Sequence, residues 1–389
     1  MRKKKLAVVT THPIQYNAPL FKLLTDRGNI HVKVFYTWSQ AQQRVPDKGF
    51  AQEIQWDIPL LSGYEYEFVI NTARRPGNKN FMGIVTPGLI PAVRGYDPDA
   101  LLVYGWNFKS HYDAMRYFSG KVPVWFRGDS HLLDEKAGLK TMMRRLALRW
   151  VYRSVDKAFY VGTNNKDYFH AHGLREHQLV YAPHAVDQQR FIDSADKMYA
   201  KSALSWRQEL GYLPEDIVIL FAGKFESKKN PTLLIEVFNK YFKDQGKLKL
   251  LMVGNGVAED ELRSMATGNE NIRFLPFHNQ SQMPLLYRVG DVFCLPSKGP
   301  GETWGLAVNE ALACGLPVIV SEKVGCAKDL ICDDDIGWRF DAQEKQQLAG
   351  IIQGIRPEQV KDEAKKVKRQ TFIQQWSYHS ICKPIEENI

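Results

Sequence analysis

The chain has 389 residues, more than one hydrophobic core usually serves, so two domains are expected. Hydrophobic residues make up 44% and charged residues 24%, and no apolar run reaches the ~20 residues of a membrane-spanning helix, which excludes a disordered chain and a helical membrane domain. The formal charge of +9 belongs to one half: residues 1–195 hold 27 Lys and Arg against 17 Asp and Glu, whereas residues 196–389 hold 25 against 26.

The basic start Met1-Arg2-Lys3-Lys4-Lys5 leads into a short apolar stretch that reads as a first strand, not a signal peptide. Apolar, β-branched runs recur at 6–11, 32–36, 100–104, 122–126, 158–161 and 179–182, with helical periodicity at 18–25 and 139–152 between them. After a polar stretch around 187–215 the pattern resets, with runs at 217–222, 248–253, 272–275, 292–295 and 317–320. Strand and helix in alternation imply parallel sheets, so the predicted fold is α/β, two doubly wound Rossmann-like domains. The predicted boundaries are 1–195 for the first domain and 196–372 for the second, with 373–389 packing back on the first. In such sheets ligands lie beyond the carboxyl ends of the strands, and with two domains the cleft between them is the expected site. The five cysteines, Cys294, Cys314, Cys326, Cys332 and Cys382, form no C-x-x-C pair, and a reducing cytoplasm fits them best.

The richest loop follows the run 292–295 and reads Pro296-Ser297-Lys298-Gly299-Pro300-Gly301-Glu302-Thr303-Trp304-Gly305-Leu306-Ala307-Val308-Asn309-Glu310. Its glycines let backbone approach a ligand. A helix starting near Gly305 would turn free N–H groups and a positive dipole end toward an anion, which makes a phosphate seat. Glu302 in the loop and Glu310 about one turn inside the helix flank that seat, and a carboxylate pair suits the hydroxyls of a sugar and a ribose. The loop after 217–222 reads Gly223-Lys224-Phe225-Glu226-Ser227-Lys228-Lys229, and places two ammonium groups, Lys224 and Lys229, where they can face the same anion.

On these residues the chain resembles the GT-B retaining glycosyltransferases of family 4. Glu302 and Glu310 have the spacing of that family's E-x7-E motif, within E-T-W-G-L-A-V-N-E-A-L-A-C-G-L-P-V-I. Gly223-Lys224 with Lys229 is similar to its diphosphate clamp, lysine standing for the usual arginine. Gly325 with Asp329, Asp187 in Pro183-His184-Ala185-Val186-Asp187, and Gly337 extend the likeness over nearly the whole chain. The resemblance implies donor contacts at Gly223, Gly301, Thr303, Trp304, Gly305, Leu306 and Glu310, a catalytic set of Lys224, Lys229, Glu302 and Arg127, and transfer with retention. It implies a nucleotide-sugar donor and a glycan or lipid-linked acceptor, as in bacterial surface polysaccharide synthesis.

The N-terminal half departs from the family's common pattern. The first loop, Thr10-Thr11-His12-Pro13-Ile14-Gln15-Tyr16-Asn17, lacks glycine, and Arg127 of Arg127-Gly128-Asp129-Ser130-His131 stands where many members have a histidine. Thr11-His12-Pro13-Ile14-Gln15-Tyr16, the stretch from Trp56 to Tyr64, and Arg127-Gly128-Asp129-Ser130 resemble a bacterial branch of the family. His12, Gln15, Tyr16, Asp129 and His131 are acceptor-side candidates.

Cations and backbone donors can stabilise a departing diphosphate without a divalent ion, and no D-x-D stands at a strand end. Neither metal nor cofactor is expected. The basic surplus of the first half, including Lys140, Arg144, Arg145, Arg149 and Arg153, makes that half a candidate for peripheral contact with the inner face of the plasma membrane. It lacks a nucleic-acid motif or clustered stacking aromatics, so nucleic acid is not an expected partner. Three other readings are open. A nicotinamide enzyme would need G-x-G-x-x-G, but Gly254-Asn255-Gly256 is followed by Glu259 in place of the third glycine. A GT-B epimerase or phosphorylase, or an inactive nucleotide-sugar or glycan-binding paralogue, would share the architecture.

Overall fold

In the computed structural model, residues 2–42, 46–47, 52–53 and 56–389 are described; Met1 of the basic start lies outside them. The strands are β1 (Lys5–Thr10), β2 (His31–Tyr36), β3 (Pro46–Asp47), β4 (Gln52–Glu53), β5 (Glu65–Phe68), β6 (Ala100–Tyr104), β7 (Val124–Arg127), β8 (Lys157–Tyr160), β9 (Leu179–Tyr181), β10 (Ile217–Ala222), β11 (Leu248–Val253), β12 (Ile272–Leu275), β13 (Val292–Leu295), β14 (Val318–Ser321) and β15 (Gly337–Phe340). The chain divides into two compact units. One comprises the described residues of Met1–Val45, Ile58–His184 and Tyr378–Ile389; the other those of Pro46–Asp57 and Ala185–Ser377.

The first unit is built on a seven-stranded sheet in the order β5-β2-β1-β6-β7-β8-β9, every pairing parallel. Strands β1, β6 and β7 are apolar on both faces because helices cover both, as the continuous runs Leu6-Ala7-Val8-Val9 and Leu101-Leu102-Val103 require. The helix Tyr378–Asn388 belongs to this unit. It buries Ile381, Cys382 and Ile385, and Arg27 at the end of the helix Ala18–Arg27 forks onto Glu386 with two 2.7 Å hydrogen bonds. That fork holds the Glu386 carboxyl below its ordinary pKa.

The second unit has six parallel strands in the order β12-β11-β10-β13-β14-β15. Counted within this sheet the order is 3-2-1-4-5-6, the doubly wound order, and its reversal of direction falls between β10 and β13. Strands β10 and β13 are buried at every residue. The loops that leave their carboxyl ends, 223–230 and 296–305, therefore emerge side by side at the switch point. These are the two loops singled out in the sequence.

Candidate active site

Both loops are shaped by glycines whose neighbours leave no room for a side chain. A Cβ on Gly254, just after β11, would lie 2.0 Å from the Gly223 carbonyl oxygen, and one on Gly256 would lie 2.5 Å from that of Phe225. Gly254-Asn255-Gly256 is thus a packing device that carries the lysine loop, which accounts for both glycines of the partial motif. The loop is fastened by hydrogen bonds from Gly223 N to Val253 O (3.0 Å) and Phe225 N to Asn255 O (3.0 Å). It then makes a short 3-10 turn, Ser227–Lys229, and Asn230 in the left-handed region hands over to the helix Pro231–Val237.

That turn delivers Lys229 to the second loop. Its Nζ lies 2.7 Å from Glu302 Oε2, with only 17% of the lysine side chain and 7% of the glutamate exposed. The same Glu302 oxygen accepts from the Ser297 hydroxyl at 3.2 Å, and Lys298 N donates to Lys228 O at 3.0 Å. The Glu302 backbone is held as well: its carbonyl accepts from Gly325 N at 3.0 Å, and the Trp304 carbonyl from Cys326 N at 3.0 Å. Only glycine fits at 325, because a Cβ there would stand 1.8 Å from the Thr303 carbonyl oxygen.

Gly305, at φ 94°, turns the chain into the helix Leu306–Ala313. The Trp304 indole is buried and its Nε1 donates to Asn309 Oδ1 at 2.8 Å, so the ring locks loop to helix. Trp304, expected among the donor contacts, can therefore offer a ligand its backbone while its ring serves packing. Glu310 sits in the second turn, 2% exposed. Its Oε2 accepts from the Tyr287 hydroxyl at 2.8 Å and its Oε1 lies 3.8 Å from the Arg190 guanidinium. Ser297, Tyr287 and Arg190 are not singled out by the sequence; Ser297 lies in the same loop as Glu302, whereas Tyr287 and Arg190 come from two other segments, and neither periodicity nor spacing links those two to the glutamates. Gly223, Lys224, Lys229, Gly301, Glu302, Thr303, Gly305, Leu306 and Glu310 all lie on the two switch-point loops or the helix that follows them.

In the first unit the reversal falls between β1 and β6. After β1, the Thr11 hydroxyl and His12 Nδ1 are 2.9 Å apart, and the His12 ring meets Trp38 edge-on at 5.3 Å. Burial lowers the His12 pKa to about 4, so the ring is neutral near pH 7. Gln15 and Tyr16 follow in the same loop, both half-buried. Strand β7 runs one residue further than its apolar run, which makes Arg127 its last residue rather than a loop residue. The guanidinium is buried, and NH1 and NH2 donate to the carbonyls of Ala182 (2.8 Å) and Pro183 (3.0 Å). Burial pulls its pKa below the ordinary arginine value, against the opposing pull of Tyr104 and Asp129. Arg127 thus shapes the segment after β9. Asp129 Oδ2 lies 3.5 Å from His184 Nε2, and His131 Nδ1 accepts from Leu133 N at 3.2 Å.

Residues 203–371, the greater part of the second unit, match the family model of the glycosyl transferases group 1. A phosphatidyl-myo-inositol mannosyltransferase of Mycobacterium leprae is 31% identical over 147 residues, which is 37% of this chain and 38% of the relative. A GDP-mannose-dependent monoacylated alpha-(1-6)-phosphatidylinositol monomannoside mannosyltransferase of Corynebacterium glutamicum is 29% identical over 191 residues, 46% of this chain and 48% of the relative. The matched stretches thus span less than half of these relatives' length. Over the whole chain, HepE of Anabaena, solved with UDP and glucose, is similar in structure, with a TM-score of 0.69 at 18% identity, covering 99% of this chain and 98% of that one. The fold is GT-B.

Proposed function

We propose that this chain is a retaining, metal-independent glycosyltransferase that moves a sugar from a nucleotide-sugar, held by its second unit, to a hydroxyl of a glycan or lipid-linked acceptor in bacterial surface polysaccharide synthesis. The observation that carries the reading is the Lys229–Glu302 pair at the switch point, beside a helix that begins at Gly305. A buried cation, a buried carboxylate and a helix N-terminus together suit a ligand with both an anionic and a hydroxyl-rich part. A nucleoside diphosphate sugar is such a ligand. The match to the group 1 glycosyltransferase model covers these residues, and the mannosyltransferase relatives and the UDP-bound neighbour support the same chemistry.

In this reading the bond from the anomeric carbon to the diphosphate oxygen breaks with its electron pair going to that oxygen. Lys224, Lys229 and the first N–H groups of the helix Leu306–Ala313 meet the added charge, and being fixed in place they stabilise the transition state more than the bound donor. The acceptor hydroxyl attacks the anomeric carbon from the side the diphosphate leaves and passes its proton to the departing diphosphate oxygen. Glu302 orients the sugar through its hydroxyls, Glu310 the ribose diol. Arg127 acts at one remove, by holding the backbone at 182–183.

The test is a panel of nucleotide-sugars scored by thermal shift and by slow hydrolysis, followed by transfer assays with and without a chelator. One donor should stabilise the protein and be turned over at the same rate with chelator present. A chain that no donor stabilises and that hydrolyses none would sink the reading, and loss of turnover on chelation would remove metal independence.

A further inference from the structure

The helix Leu139–Tyr152 in the first unit faces its apolar side the wrong way for a core element. It buries only Leu148, Val151 and Tyr152, and none of residues 139–147 is buried. Leu139, Met142, Met143, Leu146 and Trp150 are instead exposed by 68%, 55%, 62%, 58% and 50%. At about 100° per residue these five side chains fall within one narrow stripe, centred opposite Leu148. Beside the stripe, Arg116 lies over the Trp150 ring at 4.9 Å and the Trp150 ring packs on Tyr112 at 5.5 Å. Tyr112 in turn meets Phe81, and Phe81 and Met82 are 40% and 55% exposed, so the apolar surface continues past the helix. A helix with so little beneath its first two turns draws little stability from tertiary packing, and an exposed patch of this extent marks an interaction surface.

The charges around the stripe select the partner. Within the helix Lys140 and Arg144 project on one flank and Arg145 and Arg149 on the other; Lys136 precedes the helix and Arg153 follows it, and no acidic residue lies between them. Arg145 is paired with Glu135; the other five basic residues are exposed. Apolar side chains between two rows of cations match a layer with hydrocarbon below and anionic headgroups above. A second copy of this chain would bring these cations against their own kind, which disfavours a dimer through the same face. We infer that this helix docks the first unit on an anionic lipid bilayer, lying in the interface with Leu139, Met142, Met143, Leu146 and Trp150 among the acyl chains. No helix among the described residues is long and apolar enough to cross a membrane, so the attachment is peripheral. The inference rests on this helix alone and stands apart from the sugar-transfer reading.

Flotation of the full chain with vesicles tests it. The protein should float with equimolar phosphatidylglycerol and phosphatidylcholine at low salt, and partition at least tenfold less into pure phosphatidylcholine or at high salt. Met143→Ser with Leu146→Ser, both on exposed side chains, should keep the wild-type melting temperature and lower partitioning about tenfold or more. Lys140→Ser with Arg144→Ser should lower it about as much and flatten its salt dependence. Equal flotation with both vesicle types, or unchanged flotation of the Met143→Ser, Leu146→Ser variant, would overturn the inference. So would a wild-type dimer in light scattering that this variant turns into a monomer, with no vesicle binding by either.

Discussion

Lys229 Nζ stands 2.7 Å from Glu302 Oε2, the oxygen that also accepts from the Ser297 hydroxyl. A buried carboxylate loses much of its compensation when a cation paired with it goes. Lys229→Met should therefore destabilise the second unit by about 3 kcal/mol, less than for a fully enclosed pair because the lysine keeps some access to water. Lys224→Met, on a half-buried side chain in the same loop, should cost less. Denaturant melts of the two variants decide it; equal stabilities would mean that Glu302 is held by the backbone around it, not by Lys229.

Glu310 is predicted to bind the donor's ribose diol, and Tyr287 to set its carboxylate. Glu310→Gln keeps the shape and an oxygen for the Tyr287 hydroxyl but removes the charge, so donor affinity should fall at least tenfold, from a loss of about 1.5–3 kcal/mol. Tyr287→Phe should give a smaller loss in the same direction. Calorimetric titration with the donor found in the nucleotide-sugar panel checks both, and unchanged affinity in Glu310→Gln would take the residue out of the site.

The sequence reveals most where burial is two-sided. Strands β10 and β13, buried at every residue, match their apolar runs residue for residue, because strands covered on both faces need unbroken hydrophobic sequence. The edge strands escape this rule. In β5, Glu65 and Glu67 alternate with Tyr66 and Phe68, and both carboxylates pair with Lys33 on β2. In β15, Gly337 and Arg339 interrupt the apolar residues Trp338 and Phe340, yet a Cβ on Gly337 would lie 2.1 Å from Val318 O. The site divides in the same way. Glycines and glutamates on the switch-point loops announce themselves by local spacing, whereas Tyr287 and Arg190 reach Glu310 through the tertiary fold, and no local pattern encodes that. Arg127 is the sharpest case: it stands at a strand's end, where a residue of either kind could sit, and only the fold shows that its guanidinium holds the carbonyls of Ala182 and Pro183.

Arg127 should matter more to structure than to chemistry. Arg127→Lys keeps the charge but cannot bridge the carbonyls of Ala182 and Pro183 together, and it leaves one of them without its buried donor. The expected cost is about 1–3 kcal/mol of stability, with donor affinity unchanged because the donor loops lie in the other unit. A variant of wild-type stability with reduced turnover would reverse this and return Arg127 to the reacting centre.

His12 gives the fold a defined pH response. Its pKa is about 4 when folded against 6.5 when exposed, so folding binds fewer protons in that window. The stability associated with the neutral ring is fully present above pH 6.5 and is lost as pH falls toward 4, by up to about 3 kcal/mol. His111, buried between the Thr37 hydroxyl and the Gly105 carbonyl, is lowered to about 4 as well and adds to the same slope. His12→Asn should flatten part of the decline between pH 6.5 and 4 in urea melts; His111 shares what remains with His172 and His184, whose pKa values burial also lowers. A slope that His12→Asn leaves untouched would show that the ring keeps its access to protons.

The two lysines of the first switch-point loop should affect turnover more than donor binding. The bound diphosphate already carries its charge, but bond breaking adds negative charge at the leaving oxygen, and a preorganised ammonium stabilises that increment most. Removing one such group typically costs about 10²–10³ in rate, so Lys224→Ala and Lys229→Ala should each lower kcat by that order with a smaller change in affinity. Lys229 carries a second consequence, since in the free protein it is paired with Glu302 and must exchange that partner for phosphate oxygens as the donor enters. Lys229→Ala should then also disturb Glu302, and the two effects should appear together in kcat. Because both cations serve one anion, the double variant should fall short of the product of the singles. Lys224→Arg should be the mildest change, as it keeps the charge and adds a fork suited to phosphate. Single-turnover kinetics with the donor found in the panel measure each step, and near-normal turnover in both alanine variants would move the diphosphate away from this loop.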